Sequence, residues 1–543
     1  MTKLLKQEQQ KKETLFSSFC RFWQYLLDYI ICIYMLLIIV VLPFYNEEGY
    51  QHIGTDKHKF FRACFTYTGY ALFPVLGCYL ICKCIRFWRE EKGNWKEAVK
   101  SGLRSLSITD FFALLYGSSL VISYLCTPYR ESAKWGALGW YMGLIPQLAL
   151  VATYFCISRL WKKRDWMFLL FLPVSAVTFV LGYLNRFGIY PIDMQPRLYN
   201  FISTVGNINW YCGYMVTVMF IGVYLFWKTT EDRTKRLAAL YVTIAFAALV
   251  TQGSMSGFMA LGVVLVLLFC MSASDAGHML LFWQEILLLA VACLFTWGVR
   301  ILWPNAITFS DAVMDLFTNS CFPLLMAALA VLFLVYIPYT NRKGCYPKRT
   351  FSRLASVVGC GTALTVCVVI GMIVKNTLYP GSIGPFSDND FFTFSPEWGS
   401  LRGASWKAAI MCLREEGWLQ RLVGVGPDCM EQFISHEGSL EMRELLQRAF
   451  EGLRLTNAHC EWLTIWIDLG VIGLIGYVGM ISSAVVRFLA NKKGNTFITG
   501  ACGLCVLAYT VNNFVSFQQS MSVATVFVIL GIGEAYTSGR NRE

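Results

Sequence analysis

Apolar runs of about 20 residues recur along the whole chain, separated by polar connections. A run of this length forms a helix that crosses roughly 30 Å of hydrocarbon, so each run predicts a transmembrane helix. The pattern predicts about 14 such helices, near residues 22–43, 62–82, 107–126, 135–157, 166–184, 208–227, 236–252, 256–273, 279–303, 321–339, 354–375, 461–486, 496–513 and 517–535. We therefore expect an all-α, polytopic integral membrane protein with about 12 to 14 spanning helices.

One long segment, residues 376–457, interrupts this pattern with Gly and Pro punctuation and mixed charges. It divides the chain into a membrane domain of 11 helices at 1–375, a loop at 376–457, and a membrane domain of three helices at 458–543. A loop longer than about 15 residues is usually functional or disordered, so we interpret it as a lid or a docking surface.

Two amphipathic helices are predicted inside this loop. Ser400 can cap the first and Gly417 can end it, with one apolar face formed by Trp406, Ile410 and Leu413. Ser439 can start the second, which carries an apolar stripe of Leu445, Leu446, Ala449, Phe450 and Leu453. Both helices should lie on the membrane domain or at the lipid interface.

Charge predicts the orientation. The chain is 56% hydrophobic and 15% charged, and its net charge of +12 has to be weighed by the side of the membrane that carries it. With the N-terminus inside, the inner segments hold 30 of the 46 Lys and Arg residues, and half of the other 16 lie in the long loop. We expect a multi-pass protein of the cytoplasmic (inner or plasma) membrane with both termini cytoplasmic and loop 376–457 extracytoplasmic. Nucleic acid is not an expected partner.

The cysteines and histidines predict no metal site. Most of the 20 cysteines lie in apolar runs, and Cys502 and Cys505 form a CxxC without a second pair. Of the five histidines, His52 and His58 fall in the first outer loop, His278 near the inner face, and His436 on the polar face of the long loop, where solvation explains it. We expect neither a metal nor a cofactor.

His459 differs from the other histidines, because it sits where the long loop re-enters the membrane. We predict that it lies in the first turn of a helix capped by Thr456 or Asn457. A helix N-terminus disfavours imidazolium, so the ring should stay neutral and able to accept a proton. The alternative is a hydrogen-bonded interfacial histidine, and position alone does not choose between the two.

Outer-face arginines are candidates for binding a diphosphate, since a guanidinium offers a planar fork of donors. They are Arg62, Arg130, Arg186, Arg197, Arg300, Arg402, Arg414, Arg421, Arg443, Arg448 and Arg454. Arg197 stands out because it precedes the turn-like STVGNIN, and Arg402 because it lies in the first amphipathic helix. Ion pairing of Arg402 with Asp388, Asp390 or Glu397 is the structural alternative.

The pattern GVGPD, Gly424 to Asp428, can form a tight turn whose exposed amides receive an anion.

Several ordered pieces resemble the O-antigen ligase and O-antigen polymerase superfamily of membrane enzymes. RLYNFISTVGNINWYCGYM is similar to the family's Arg followed by a Gly-x-x-Asn helix entry, and LRGASWKAAI followed by RLVGVGPD to its Arg-x-x-x-Trp and Gly-x-Gly loop. AHCEWLTIWIDLGVIGLIGY resembles the family's His after the large loop, trailed by an acidic residue and a Gly-x-x-Gly stretch. The resemblance covers about residues 195–480.

The resemblance implies a metal-independent glycosyltransferase without cofactors. Its donor would be an undecaprenyl-diphosphate-linked glycan, and its acceptor a growing polysaccharide, a lipid or a protein. His459 would take the acceptor's proton, while Arg197 and Arg402 would offset charge on the leaving diphosphate. Substrate binding would involve Arg130, Arg186, Asn207, Asn209, Trp406, Gly424 and Gly426. Membrane lipid and other polysaccharide-assembly proteins are the further partners that it implies.

Two positions depart from the family pattern. Where many relatives carry a Ser-Arg pair, this chain reads TQGSMSGFMAL from Thr251 to Leu261, so Arg130, Arg186 or Arg300 would have to supply the missing cation. Where many relatives place an asparagine after the histidine, this chain has Cys460.

Other functions stay open. A polymerase is favoured over a ligase, since polymerisation suits any envelope whereas lipid A ligation needs an outer membrane. A polysaccharide flippase or transporter of the same pathway should show ionisable groups deep in several helices, and the candidates here are Asp28, Asp110, Glu285, Asp468 and Glu534. A non-catalytic membrane receptor is the third alternative.

Overall fold

A computed structural model of the chain describes residues 2–90, 95–452, 454–492 and 495–537. It confirms the all-α class, since 12 helices in these ranges are long and apolar enough to cross a membrane. Two shorter apolar helices, Leu144–Leu160 and Thr496–Asn512, match the two remaining predicted spans. Every predicted span therefore has a helical counterpart.

The helices of the described ranges follow one another in this order: α1 Thr2–Leu36, extended by a π turn at Leu37–Val41, α2 Ile53–Glu90, α3 Trp95–Arg104, α4 Ile108–Cys126, α5 Arg130–Trp135, α6 Leu144–Leu160, α7 Asp165–Leu169, α8 Phe171–Arg186, α9 Ile208–Lys228, α10 Asp232–Thr251, α11 Met255–Ser272, α12 Ala276–Leu302, α13 Ala312–Thr318, α14 Phe322–Arg342, α15 Lys348–Leu378, α16 Trp398–Glu415, α17 Trp418–Val423, α18 Met430–His436, α19 Leu440–Phe450, α20 Glu461–Leu489, α21 Thr496–Asn512 and α22 Ser520–Thr537. Two 3₁₀ turns, Gly384–Phe386 and Asp390–Phe392, precede α16. Strands β1, Phe201–Ile202, and β2, Gly206–Asn207, form an antiparallel hairpin.

One local prediction needs correction, and another is confirmed. The span predicted at 135–157 begins only at Leu144, because Gly136 and Gly139 adopt positive φ angles of 96° and 92° and end the short helix α5. The prediction that STVGNIN forms a turn leading into a helix is confirmed: residues 203–205 form the tip of the β1–β2 hairpin, where Ser203 has a φ of 58°, and α9 begins at Ile208.

The helices differ in how much of their surface is buried, from the centre of the bundle to its periphery. Helices α9 and α22 are buried along almost their whole length, whereas α15 and α14 carry many exposed apolar side chains. A helix that is apolar all round belongs in a membrane or in the core of a large protein. The central helices therefore have a protein environment, and α14 and α15 are suited to contact lipid.

The two ends of the bundle differ. The end that carries residues 376–457, called here the loop end, also holds the α1–α2, α5–α6, α8–α9 and α21–α22 connections. The opposite end holds buried ion pairs, in which Arg164 contacts Asp28, Arg159 contacts Asp110 and Arg487 contacts Glu534. Three of the five carboxyls considered for a transport path are thus paired with arginines.

Helices α16 to α19 pack onto the loop end around a small apolar core. The core includes Ala133 of α5 and Ile467 of α20, which join it to the membrane-spanning part. Ser439 caps α19 as predicted, accepting a hydrogen bond from the Met442 amide at 3.3 Å. Leu446 of the predicted stripe is buried, and Leu453 lies outside the described residues.

The prediction for the first loop helix is wrong in its details. Ser400 does not cap α16 but lies in a kink with a φ of 59°. Gly417 follows the helix end and starts α17. The buried face is formed by Ala408, Ala409 and Cys412, while Ile410 is exposed. Small side chains let the helix backbone approach its neighbours closely. A pattern of bulky apolar residues does not indicate such a face.

Candidate functional site

The centre of the loop end is a break in helix α20. Gly470 has φ 64° and ψ −171°, so the helical ladder is interrupted and carbonyls of the preceding turn lose their partners. The Val425 amide donates to the Ile467 carbonyl at 3.0 Å, and the Gly426 amide to the Asp468 carbonyl at 3.1 Å. The prediction that the GVGPD turn exposes its amides to an anion is therefore wrong, since two of these amides satisfy the broken helix.

This arrangement requires glycine at position 424. Gly424 has φ 84° and ψ 175°, and a Cβ there would lie 2.1 Å from the Asp468 carbonyl oxygen. We expect Gly424→Ala to destabilise the protein strongly, because a backbone that favours glycine costs about 1–3 kcal/mol and the clash adds to it. Gly381 is the matched control, since it has the same φ of 84° and open space around its Cβ position. Thermal unfolding in detergent measures both variants, and equal melting temperatures would contradict the packing described.

Three buried carboxyls lie at the break. Asp428 accepts hydrogen bonds from the amides of Ala137 and Met142 at 2.8 and 2.9 Å. Asp468 accepts from the amides of Cys429 and Met430 at 3.2 and 3.1 Å. The Cys429 and Met430 amides, which directly follow the GVGPD turn, thus bind a carboxyl group of the protein itself.

Asp428, Asp468 and Glu461 line a cavity of about 20 Å³, which is room for about one water molecule. Other parts of its wall come from Trp140, Asn457, Thr464, Phe517 and Gln518. Burial raises the pKa of Asp428 to about 7. Within the described ranges no group of His, Cys, Asp and Glu side chains is arranged to hold a metal ion.

His459 lies at the rim of this region. Helix α20 starts at Glu461, so His459 precedes the helix, and the prediction of a first-turn position capped by Thr456 or Asn457 is wrong. The Asn457 side chain instead accepts the His459 amide at 3.0 Å and holds the residue at a φ of 50°. The ring meets Phe517 edge to face at 5.1 Å, and its buried Nδ1 has no hydrogen-bond partner within the described ranges.

The imidazole is neutral, but not for the reason predicted from the sequence. Burial is the main cause that lowers the pKa of His459 to about 4, and the charge of Arg402 is the second. The predicted helix N-terminus is not needed. The electrostatic effect also shows that Arg402 lies near the ring.

Arg402 has no carboxylate partner in the part of the chain that the structure describes. Its Nε donates to the Val515 carbonyl at 2.9 Å and its Nη1 to the Gly399 carbonyl at 2.8 Å. Among the described residues it forms no ion pair with Asp388, Asp390 or Glu397, the partners of the structural alternative. The kink at 399–401, where three successive residues have positive φ, precedes it directly.

An aromatic wall connects His459 to the start of helix α9. Phe517 packs against Trp140 at 4.6 Å, and Trp140 against Trp210 at 5.7 Å. Sequence reasoning did not single out Phe517, because its position depends on the irregular α21–α22 connection. Trp140 follows a glycine-rich turn and carried no functional signal of its own.

Asn207 and Asn209 organise that helix start. Asn207 caps α9 by accepting the Asn209 amide at 2.9 Å, and Asn209 accepts the Ser254 hydroxyl at 2.9 Å. Both asparagines therefore have structural partners near the aromatic wall. Trp406 packs against Trp398 in a tilted arrangement at 5.5 Å, and its buried indole nitrogen has no hydrogen-bond partner among the described residues.

Arg186 supplies a cation at the segment where the family pattern has its arginine. It is fully buried and donates to the carbonyls of Thr251, Gln252 and Tyr199 at 2.8, 2.8 and 2.9 Å. Each of its three nitrogens donates to a main-chain carbonyl, so the guanidinium stabilises this segment. Arg300 is likewise engaged, by Asp315 at 2.7 Å.

Arg197 and Arg130 lie in exposed surroundings. Arg197 pairs with Asp193 at 2.9 Å and lies over the Tyr190 ring, much as Arg448 pairs with Glu444 on a solvated helix. Arg130 donates to the Leu125 carbonyl at 3.1 Å. No hydrogen bond, ion pair or ring contact in the described structure links Arg130, Arg186 or Arg197 to His459 or Arg402. The charge of Arg402 acts on the His459 ring, and no described contact places Arg130, Arg186 or Arg197 beside these two residues.

Neither protein-family models nor curated protein sequences give a significant match to the chain. The resemblance to O-antigen ligases and polymerases therefore stays a prediction that rests on the motifs and on the site described above.

Proposed function

We propose that the chain is a metal-independent glycosyltransferase of the O-antigen polymerase or ligase type, joining a lipid-diphosphate-linked glycan to an acceptor. The observation that supports this most directly is the pairing of an uncompensated guanidinium, Arg402, with a neutral, buried imidazole, His459. A cation without a carboxylate partner suits an anionic substrate group, and a neutral imidazole suits removal of a proton. No cofactor is needed for this chemistry.

The proposed step is a displacement at the anomeric carbon of the donor glycan. An acceptor hydroxyl forms a bond to that carbon while the bond to the diphosphate oxygen breaks, and the lipid diphosphate leaves with the electron pair. His459 takes the hydroxyl proton, and Arg402 stabilises the charge that grows on the leaving group.

Binding of the donor would also strengthen the base. The charge of Arg402 disfavours imidazolium at His459, and a diphosphate placed against the guanidinium offsets that charge. The pKa of His459 therefore rises when the donor is present. His459 therefore accepts the proton of the acceptor hydroxyl most readily in the complex with the donor.

We propose that the loop end faces away from the cytoplasm, with both termini inside, as the Lys and Arg distribution favours. Residues 91–94 and 538–543, on the proposed inner side, lie outside the described residues. A cysteine introduced for exposed Glu441 should then react with a membrane-impermeant maleimide in intact cells. A cysteine introduced for Glu231, in the α9–α10 connection, should react only after permeabilisation. The reverse pattern would overturn both the orientation and the proposed site.

The function itself is tested with the full chain in lipid nanodiscs and an undecaprenyl-diphosphate-linked oligosaccharide. A polymerase releases lipid diphosphate and forms a ladder of longer lipid-linked glycans, whereas a ligase also needs a lipid or protein acceptor. Absence of lipid diphosphate release with every acceptor class would contradict the proposal.

A transporter of lipid-linked glycans is the second candidate, supported by the discontinuous helix α20. Irregular backbone at membrane depth is found where it lines a cavity, and such breaks hold substrates in transporters. Glu285 is a second feature of this kind, since it is buried within α12 and neither of its oxygens has a hydrogen-bond partner among the residues that the structure describes. Movement of a labelled lipid-linked glycan between leaflets, without chain extension, would favour this candidate.

A further inference from the structure

The connection between α21 and α22, residues 513–519, contacts both proposed catalytic side chains. Its Val515 carbonyl accepts the hydrogen bond from Arg402, and its Phe517 ring packs against His459. The connection has no regular secondary structure: the amides of residues 513–515 donate to carbonyls at the end of α21, and no helix or strand of the described structure includes residues 516–519. Side-chain contacts therefore contribute to where the Val515 carbonyl and the Phe517 ring lie.

Glu461 supplies those contacts. It is 1% exposed, and its carboxyl accepts hydrogen bonds from Asn513 and, at 3.3 Å, from Gln518, the two side chains that flank the connection. Its own amide donates to the Asn513 carbonyl at 3.0 Å. Glu461 thus binds the connection at both ends.

The carboxyl is in turn held from the opposite side by two tyrosines. Tyr509 of α21 donates to it at 2.9 Å, and Tyr477 of α20 donates to its other oxygen. No Lys or Arg pairs with Glu461 among the described residues, so its partners are hydroxyls and amides. A buried polar network of this kind fixes one arrangement when every member is satisfied.

We propose that Glu461 is a positioning residue that holds the 513–519 connection and thereby sets the placement of Arg402 and His459. This inference rests on the proposed function for its catalytic meaning. Residues that hold catalytic groups commonly act through such second contacts, because chemistry requires side chains to be placed to within about 0.5 Å.

The test measures His459 directly and needs no activity. Diethyl pyrocarbonate acylates neutral, accessible imidazole, and peptide mass spectrometry separates His459 from exposed His436, which serves as the internal reference. In Glu461→Ala we expect His459 acylation at pH 7 to become faster by about tenfold relative to His436, as the connection and Phe517 loosen locally. Glu461→Gln, which keeps the size and an acceptor oxygen, should restore most of the protection.

Glu534→Ala is the matched control, since Glu534 is a fully buried carboxyl paired with Arg487 at the opposite end of the bundle. It should leave His459 acylation unchanged. Tyr509→Phe removes one donor without touching the connection, and it replaces Glu461→Ala if that variant does not fold. In that variant we expect a smaller increase in acylation.

Unchanged His459 acylation in folded Glu461→Ala, or in Tyr509→Phe where that variant replaces it, would overturn the positioning role. Equal acceleration in Glu534→Ala would also overturn it, because it would show general loosening. If acylation changes as expected but no variant, nor the unaltered protein, releases lipid diphosphate, the proposed function fails and the positioning of His459 by Glu461 stands.

Discussion

Replacing His459 with alanine is expected to nearly abolish formation of extended or ligated glycan. The ring is the neutral imidazole next to Arg402, and a positioned base contributes about 10²- to 10⁴-fold to the rate. Loss of the ring should leave folding intact, since the Nδ1 atom has no hydrogen-bond partner and the residue lies outside the helices. The measurement is product per inserted protein in nanodiscs with the lipid-linked donor.

His436→Ala is the control for that result. His436 is exposed on α18, where its ring bonds to the Gln432 carbonyl at 2.8 Å, so its removal should change the rate little. Near-normal product from His459→Ala would show that the histidine is structural. Catalysis would then have to depend on Arg402 electrostatics alone.

The spanning helices could be predicted because hydrophobic length is a local property of the sequence. Each apolar run carries the information for its own helix, whatever packs against it. The start of α6 was misplaced by several residues because Trp140 and its neighbours read as apolar. The helix cannot begin there, because Gly136 and Gly139 have positive φ angles.

The loop shows where local patterns stop being sufficient. Ser439 was identified correctly because a cap acts on amides two or three residues away. The buried face of α16 was not, because Ala408 and Ala409 are buried by helices that arrive from elsewhere in the chain. A local pattern does not show which helices will pack against α16, and therefore it does not show which face they bury.

The candidate site, too, could be predicted only in part. His459 was singled out by its place at the loop's re-entry, Arg402 by its place in the first amphipathic helix, and both by the resemblance. In the structure the charge of Arg402 acts on the His459 ring. Their placement depends on Phe517 and Glu461, which are brought there by contacts between distant segments. The GVGPD turn was misread because its amide partners exist only through the break at Gly470, some 45 residues away in the chain.

Replacing Arg402 with glutamine should produce the second large loss of activity. The variant removes the cation proposed to stabilise the leaving diphosphate, and loss of one such group typically costs about 10²- to 10³-fold. Arg402→Lys keeps the charge but not the planar fork that donates to Val515 and Gly399, so we expect an intermediate loss. Arg448→Gln, on a solvated helix, is the control and should change little.

The pH dependence separates the two roles of Arg402. In the unaltered protein the His459 pKa of about 4 should place the acid limb of kcat/KM near pH 4, because activity falls as the base becomes protonated. Without the charge of Arg402 the pKa of His459 rises, but only part of the way towards its ordinary value near 6.5, since burial is the larger cause. The acid limb of Arg402→Gln should therefore move to higher pH, while that of Arg402→Lys stays close to the original. An unshifted limb in Arg402→Gln would show that the guanidinium does not act on the imidazole, and its loss of activity would then report diphosphate binding alone.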